Sequence, residues 1–496
     1  MTALPTSAST QPAWTRGIRL VLLLLAMAAL VRAQTFGNPV IEFDEQFYRL
    51  IGERMLHGAM PFVDIWDRKP VGLFLLYALA ALVGGEHALA YQLLALVFVT
   101  GTAWLVHAMA RHLCAGWHGP LIAAALSILW LNLVQGEGGQ ASVFTALPVC
   151  GAAWLVLRHI DGTALPARLG RDGALAMLLI GVAAQIKYTV LLEGAYFGVL
   201  LLWLSWRLGL GLFRTSLLGL GWAGLAILPT AIAWAAYAAI GHGETWLFAN
   251  VTSIFLRTPM PLGDLLGELA GGLATLILLI VAAVLGWRRA GKTHRTARAF
   301  VTGWAITAFL AVIALRSFAP HYAIPLVQPL AVLAAPALEA RRRLAIALVA
   351  LAAIAGQLLV GFFIWSKGDR RTMDHMVAAI GPAPRCIFVL DGFPALYSEA
   401  RSCLPGRYLF PGHLNGIMEA TSLGIDPVAE VERIMATRPD AVITDWPLWS
   451  LRNLGSNAVV DRELRAHYRL ALKEETGRGR YRMVWKRRAE ASETDR

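Results

Sequence analysis

FDEQFYRLIGERMLHGAMPFVDIWDRKPVGLFLLYALAALVGG, from Phe43 to Gly85, decides how the rest of the chain is read. Its last third, from Val71, is apolar but only about 15 residues long, short of the roughly 17 to 25 that cross a ~30 Å hydrocarbon layer as a helix. Elsewhere, apolar stretches close to crossing length recur at 18–35, 88–110, 119–136, 143–158, 173–187, 189–206, 216–240, 264–287, 299–316, 320–338 and 343–365. Whether Val71–Gly85 crosses therefore fixes the side on which every later loop lies.

Charge decides this. Arg16 and Arg19 flank the first stretch and place the N-terminus in the cytoplasm, because cytoplasmic loops carry the excess of Lys and Arg. With about eleven single crossings, the inside loops hold Arg111, then Arg158, Arg168 and Arg171, then Arg207 and Arg214. After these come Arg288, Arg289, Lys292, Arg295 and Arg298, and finally Arg341, Arg342 and Arg343. A crossing at Val71–Gly85 would turn all of them outward. That segment is predicted to be a re-entrant or interfacial helix. Residues 35–87 then form one long outside loop, of a length that is usually functional in a compact protein. The first stretch lacks a cleavage site followed by a polar mature domain and reads as a retained helix.

Composition agrees. Hydrophobic residues make up 57% and charged residues 15%, against about 25% charged in an ordinary soluble domain. This excludes a soluble, disordered or nucleic-acid-coating chain. The net charge of +12 comes from cations punctuating Leu/Ala/Val runs, so it reports topology rather than a nucleic-acid partner.

The domains expected are a membrane domain, 1–365, and an extracytoplasmic α/β domain, 366–496. In the latter, CIFVLDGFPALYSEA from Cys386 reads as strand, turn and helix, AVITDW from Ala441 as a strand, and RLALKEETGRGRYRMVWKR from Arg469 as a hairpin around Gly477 and Gly479. Cys386 and Cys403 both lie outside, where a disulfide is permitted, and are expected to be close enough to pair; two unpaired buried thiols are the alternative. No CxxC or HExxH is present, which argues against zinc-hydrolase chemistry.

The first outside loop carries the residues suited to chemistry. Asp44 and Glu45 follow the first crossing closely, at head-group depth, where a carboxylate accepts a proton from a hydroxyl nucleophile. Read plainly, they are solvated acids or a helix cap. Arg68 and Lys69 precede Pro70, which fixes the start of the apolar helix, so Lys69 can reach a phosphate; the plainer reading is a pair of snorkelling cations. Lys187, with Glu193 six residues on, lies at the outer end of a crossing, where ionisable groups usually face a cavity or a partner. Arg316 and His321 flank another outer helix end and together can hold a phosphate.

This layout resembles the GT-C membrane glycosyltransferases, including the protein mannosyltransferases and the lipid A aminoarabinose and galacturonic acid transferases. The carriers are a first crossing, DE in the first outside loop, KP opening an amphipathic helix, the basic-loop rhythm, and HYAIPLVQPLAVLAA from His321, over residues 15 to 365. The resemblance implies an α-helical polytopic protein of the bacterial inner membrane that moves a sugar from a polyprenyl-phosphate carrier to an envelope lipid, glycan or protein. It implies Asp44 as catalytic carboxylate with Glu45 beside it, and Lys69 as the cation on the carrier phosphate, supported by Arg68, Lys187, Arg316 and His321. A second acid is implied in the next outside loop, QGEGGQASVF, where Glu137 is the acid present and Gln140 or Ser142 stands at the aligned position. An Arg common early in the second crossing is replaced by Tyr91 and Gln92. No cofactor is specified, and a divalent cation is left open.

In this reading Asp44 takes the acceptor proton as the hydroxyl attacks the anomeric carbon. The cations stabilise the departing phosphate, and single displacement inverts the centre. The rivals are a transporter or flippase for a lipid-linked substrate, which should show repeated, broken spans in two halves, and a non-catalytic scaffold, which leaves the DE and RKP residues unexplained.

Overall fold

The protein is described from a computed structural model covering residues 17–160, 166–289, 294–314, 318–382 and 385–489. It is mostly helical, and a helix occupies each of the expected crossing stretches. Among the described residues, seven helices are long and apolar enough on length and composition to cross a membrane, and Val71–Gly84, His118–Leu133 and Ala141–Leu157 are shorter apolar helices.

The chain forms two compact units. The first, the membrane unit, comprises residues 1–34, 93–231 and 262–359. At its centre is helix Ile324–Ala340, which packs on Leu262–Arg289, His118–Leu129 and Arg295–Ala314. Its Ala and Leu residues are buried nearly all round. Small residues let backbones close up where lipid gives no hydrophobic drive: a Cβ at Gly286 would fall 2.0 Å from the Leu333 carbonyl oxygen. By contrast, Gly211–Ala239 exposes Leu212, Leu217, Leu220, Ile227 and Ile232, the surface lipid would cover.

The second, the loop unit, gathers residues 35–92, 232–261 and 360–496. The sequence division at residue 365 left the first outside loop with the membrane helices. In the structure the loop groups with the C-terminal residues, because Trp66 is buried in their core with Phe388, Tyr408, Leu414, Val442 and Tyr468. Helices Phe43–Leu56 and Val71–Gly84 pair so closely that a Cβ at Gly52 would lie 2.7 Å from Tyr77 and Ala78. At about 1.5 Å per residue the 14-residue Val71–Gly84 helix is some 21 Å long, short of a full hydrocarbon layer. Its inner face carries Phe74, Tyr77 and Ala81, while Leu75, Leu79, Leu82 and Val83 stay exposed.

Helix Arg342–Lys367 stops at Gly368, whose φ of 111° suits a residue without Cβ, and Asp369 caps the next helix, Arg370–Ile380, in a box with Thr372. A four-stranded sheet follows: β1 (Ile387–Val389), β2 (Ala441–Trp446), β3 (Tyr468–Glu475) and β4 (Tyr481–Arg487), in the order β1-β2-β4-β3. The β1 and β2 strands are parallel, and β4 runs antiparallel to both β2 and β3, so the expected strands and hairpin are present. Cys386 and Cys403 form a disulfide with Cα atoms 4.7 Å apart, as their expected proximity required.

Candidate functional site

In the loop unit, helix Phe43–Leu56 places Asp44 and Glu45 in its first turn, where unpaired backbone N–H groups favour carboxylates. Phe43 stacks on Phe393 with ring centroids 6.0 Å apart, which fixes how the helix begins. Asp44 is half-buried and Glu45 fully buried. Asp44 acts electrostatically on Glu42, Asp67 and His413, so these groups share one neighbourhood. Burial pushes the Asp67 carboxyl up, against the opposing pull of Lys69. Burial likewise pushes up Glu42, which pairs with Lys367.

Asp67 shapes the turn into the apolar helix. Its Oδ1 accepts from the backbone N–H of Arg68 at 2.5 Å and of Lys69 at 3.2 Å, and Pro70 then caps Val71–Gly84. The Lys69 ammonium lies 5.8 Å from the Tyr48 ring centroid. Arg68 turns elsewhere. Its guanidinium forks onto Glu419, with Nη1 donating to Oε1 at 3.0 Å, donates to Ser422 Oγ at 2.8 Å, and lies 5.3 Å from the Trp66 ring. Arg257 Nε meets the same carboxylate at 2.9 Å. Burial alone would raise Glu419, but Arg68 and Arg257 outweigh it and hold its carboxyl at about 2. Arg68 is thus committed to an ion pair with Glu419.

His413 went unnoticed in the sequence. It is buried against Trp66 at 4.7 Å, Phe410 at 5.3 Å and Phe47 at 5.7 Å, and burial lowers its imidazole to about 3, so it is neutral at physiological pH. Glu419, Arg257 and His413 carry no local signal: each has its role through residues far away in the chain.

The membrane unit holds a second group of sequence-selected residues. Lys187 Nζ donates to Ser142 Oγ at 2.9 Å and lies 4.4 Å from the Tyr322 ring centroid. The ring of His321, the preceding residue, has its centroid 4.5 Å from that of Tyr322. Tyr322 also lines an apolar groove with Leu269, Leu273, Phe309, Val312 and Leu326. Glu193 is buried, lies within electrostatic reach of Lys187, and accepts from Trp304 Nε1 at 2.6 Å. With Ser142, Thr145, Cys150, Trp304 and Gln328 it lines a small cavity. Glu137 is buried in a loop held by Arg32, whose guanidinium donates to the Gly136 carbonyl at 2.8 Å and to that of Gly138. Arg316 lies outside the described residues. Among the described residues, no group of three or more His, Cys, Asp or Glu side chains could hold a metal ion.

The fold is shared with solved structures at low sequence identity. The particular likeness is to ArnT from Cupriavidus metallidurans. Its structure bound to undecaprenyl phosphate matches with a TM-score of 0.64 at 15% identity, over 95% of this chain and 98% of that one. Its apo form matches at 0.63 and 13%, over 94% and 97%. The apo oligosaccharyltransferase of Archaeoglobus fulgidus matches at 0.51 and 13%, over 88% of this chain and 70% of its own. No protein-family model and no curated protein matches the sequence.

Proposed function

We propose that the chain is an inner-membrane glycosyltransferase that moves a sugar from a polyprenyl-phosphate carrier to an envelope acceptor on the outside face. The observation that carries this is the apolar groove reaching Tyr322, with the Lys187 ammonium over that ring and His321 beside it. An apolar groove lined by the ring that an ammonium approaches suits an amphiphile with an anionic head, which a polyprenyl phosphate is. The bound carrier of the ArnT structure supports the same class of ligand.

Chemistry is assigned to the loop unit. Asp44 takes the proton of the acceptor hydroxyl as that oxygen bonds to the anomeric carbon. The bond to the phosphate oxygen breaks, its electron pair leaves with the carrier, and the centre inverts. Lys69 stabilises charge developing on the departing phosphate. A phosphate leaves without a proton donor, so one base and the cations are sufficient; Glu137 is the next carboxylate to consider as a second acid.

Mass analysis of envelope lipids and glycans tests this in a deletion strain complemented with the wild-type chain or with Asp44→Asn. A glycosylated species should disappear on deletion, return with the wild type and stay absent with the variant. An envelope unchanged by deletion would sink the proposal.

A further inference from the structure

Residues 243–255 form a helical segment with a buried face and an exposed apolar one. Trp246, Ala249, Asn250 and Ser253 point inward, while Leu247, Val251, Ile254 and Phe255 are exposed, Phe255 by 83%. In sequence the segment sits between Gly211–Ala239 and Leu262–Arg289, both long and apolar enough to cross a membrane. Residues 240–261 are therefore held at a membrane surface, and an exposed apolar face there meets lipid.

That face continues onto the C-terminal residues of the same unit. The Thr258 N–H donates to the Met418 carbonyl at 3.1 Å, and Thr421 Oγ1 donates to that of Leu256 at 2.6 Å. The next residue back, Ile417, is exposed, and its N–H donates to the Leu451 carbonyl at 3.0 Å. Trp449 lies over Gly416, where an added Cβ would come within 3.0 Å of its ring. Leu454, 67% exposed, follows. Hydrogen bonds thus tie Leu256 and Thr258 to Thr421 and Met418, and Ile417 to Leu451, and the exposed Phe255, Trp449 and Leu454 lie within three residues of these ties in sequence. The charge here suits lipid: residues 446–460 contain no acid, and Glu244 is the one acid in 240–261. Arg452 stands at the edge, donating to the Trp449 carbonyl at 3.1 Å.

We infer that this stripe is a lipid-facing surface: the C-terminal residues rest on the bilayer through Ile417, Trp449 and Leu454, continuing the interfacial segment 243–255. Tryptophans at head-group level with apolar neighbours and an Arg at the rim are the residues a membrane interface selects, and a patch of this kind in water would need a partner. The partner is the lipid surface itself, and the inference is independent of the transfer reaction.

Spin labels in the full-length protein in lipid nanodiscs test it, in a Cys114→Ser background with Cys150 left in its buried position. Labels are placed by Phe255→Cys, Leu454→Cys and, as an aqueous reference on helix Pro427–Ala436, Glu432→Cys. The ratio of collision with oxygen to collision with a water-soluble nickel chelate should be several-fold higher at 255 and 454 than at 432. Equal ratios at 454 and 432 would overturn the inference. So would protection of 454 from both reagents, which would mean that protein covers the face. Quenching by brominated lipid gives a second reading without cysteine variants: Trp449→Phe should reduce the quenchable emission, and an unchanged amplitude counts against lipid contact.

Discussion

Lys69 and Lys187 are built into the same three-part device in two regions: an ammonium, a tyrosine ring and a carboxylate. Lys69 lies 5.8 Å from Tyr48 and acts on Asp67; Lys187 lies 4.4 Å from Tyr322 and acts on Glu193. They differ in what surrounds the acid. In the loop unit several acids, Glu42, Asp44 and Asp67, share one electrostatic neighbourhood with His413, and Asp44 keeps partial access to solvent. In the membrane unit the Glu193 carboxylate is tied to Trp304, and the ring under Lys187 opens onto an apolar groove. The first arrangement suits proton chemistry, and the second suits holding an amphiphilic anion.

The largest effect should come from the acid rather than from either lysine. Removing a general base typically lowers rate by about 10² to 10⁴. Asp44→Asn should lose that much turnover on purified protein while binding the carrier normally. Near-normal turnover in the folded variant would break the comparison and move the base to Glu45 or Glu137.

Next in size is an effect confined to the loop unit. The Cys386–Cys403 disulfide spans 17 residues, for which the chain-entropy argument gives about 3 kcal/mol. Cys386→Ser/Cys403→Ser should destabilise the C-terminal residues by roughly that amount in denaturant unfolding followed by hydrogen exchange. Amides of the membrane unit should keep their protection, and equal loss in both units would show that the two do not unfold independently.

The lysines follow. A charge-assisted hydrogen bond contributes about 1.5–3 kcal/mol, roughly tenfold to a hundredfold in affinity. Lys187→Met should weaken binding of undecaprenyl phosphate by that factor with little change in kcat at saturation. Lys69→Ala should weaken binding and also lower kcat, since it acts on the leaving group. If Lys69→Ala changed affinity alone and Lys187→Met changed kcat alone, the roles of the two regions would be exchanged.

Much of this was legible from local pattern. Apolar length marked the helices, alternation and turns marked β2 and the β3–β4 hairpin, and the short apolar run at Val71 marked a helix unlike the others. What escaped depends on pairs distant in the chain. Arg68 reads as an interfacial cation because its partner, Glu419, is 351 residues away. Trp66 carries no local sign of burial because the core that buries it lies beyond residue 387. Arg32 carries no local sign that its guanidinium holds the loop that carries Glu137, about a hundred residues on. Ion pairs and core contacts of this range leave no periodicity, so the candidate acids could be named while the residues that fix them in place could not.

The smallest expected effect is the sharpest test, because its sign is opposite to damage. Glu193 competes with any anion for the Lys187 ammonium, and removing its charge leaves that ammonium wholly to the carrier phosphate. Glu193→Gln keeps an oxygen for the Trp304 N–H and nearly the same volume. Screened as between charges in water, a competing charge amounts to about 1 kcal/mol at close range, so the variant should bind undecaprenyl phosphate roughly fivefold more tightly. A packing defect would weaken binding or leave it unchanged. Pairing the substitution with Lys187→Met separates the cases further: without the ammonium, Glu193→Gln should have no effect on affinity, and a gain that survives in the double variant would mean that Glu193 acts on the carrier by some route other than Lys187.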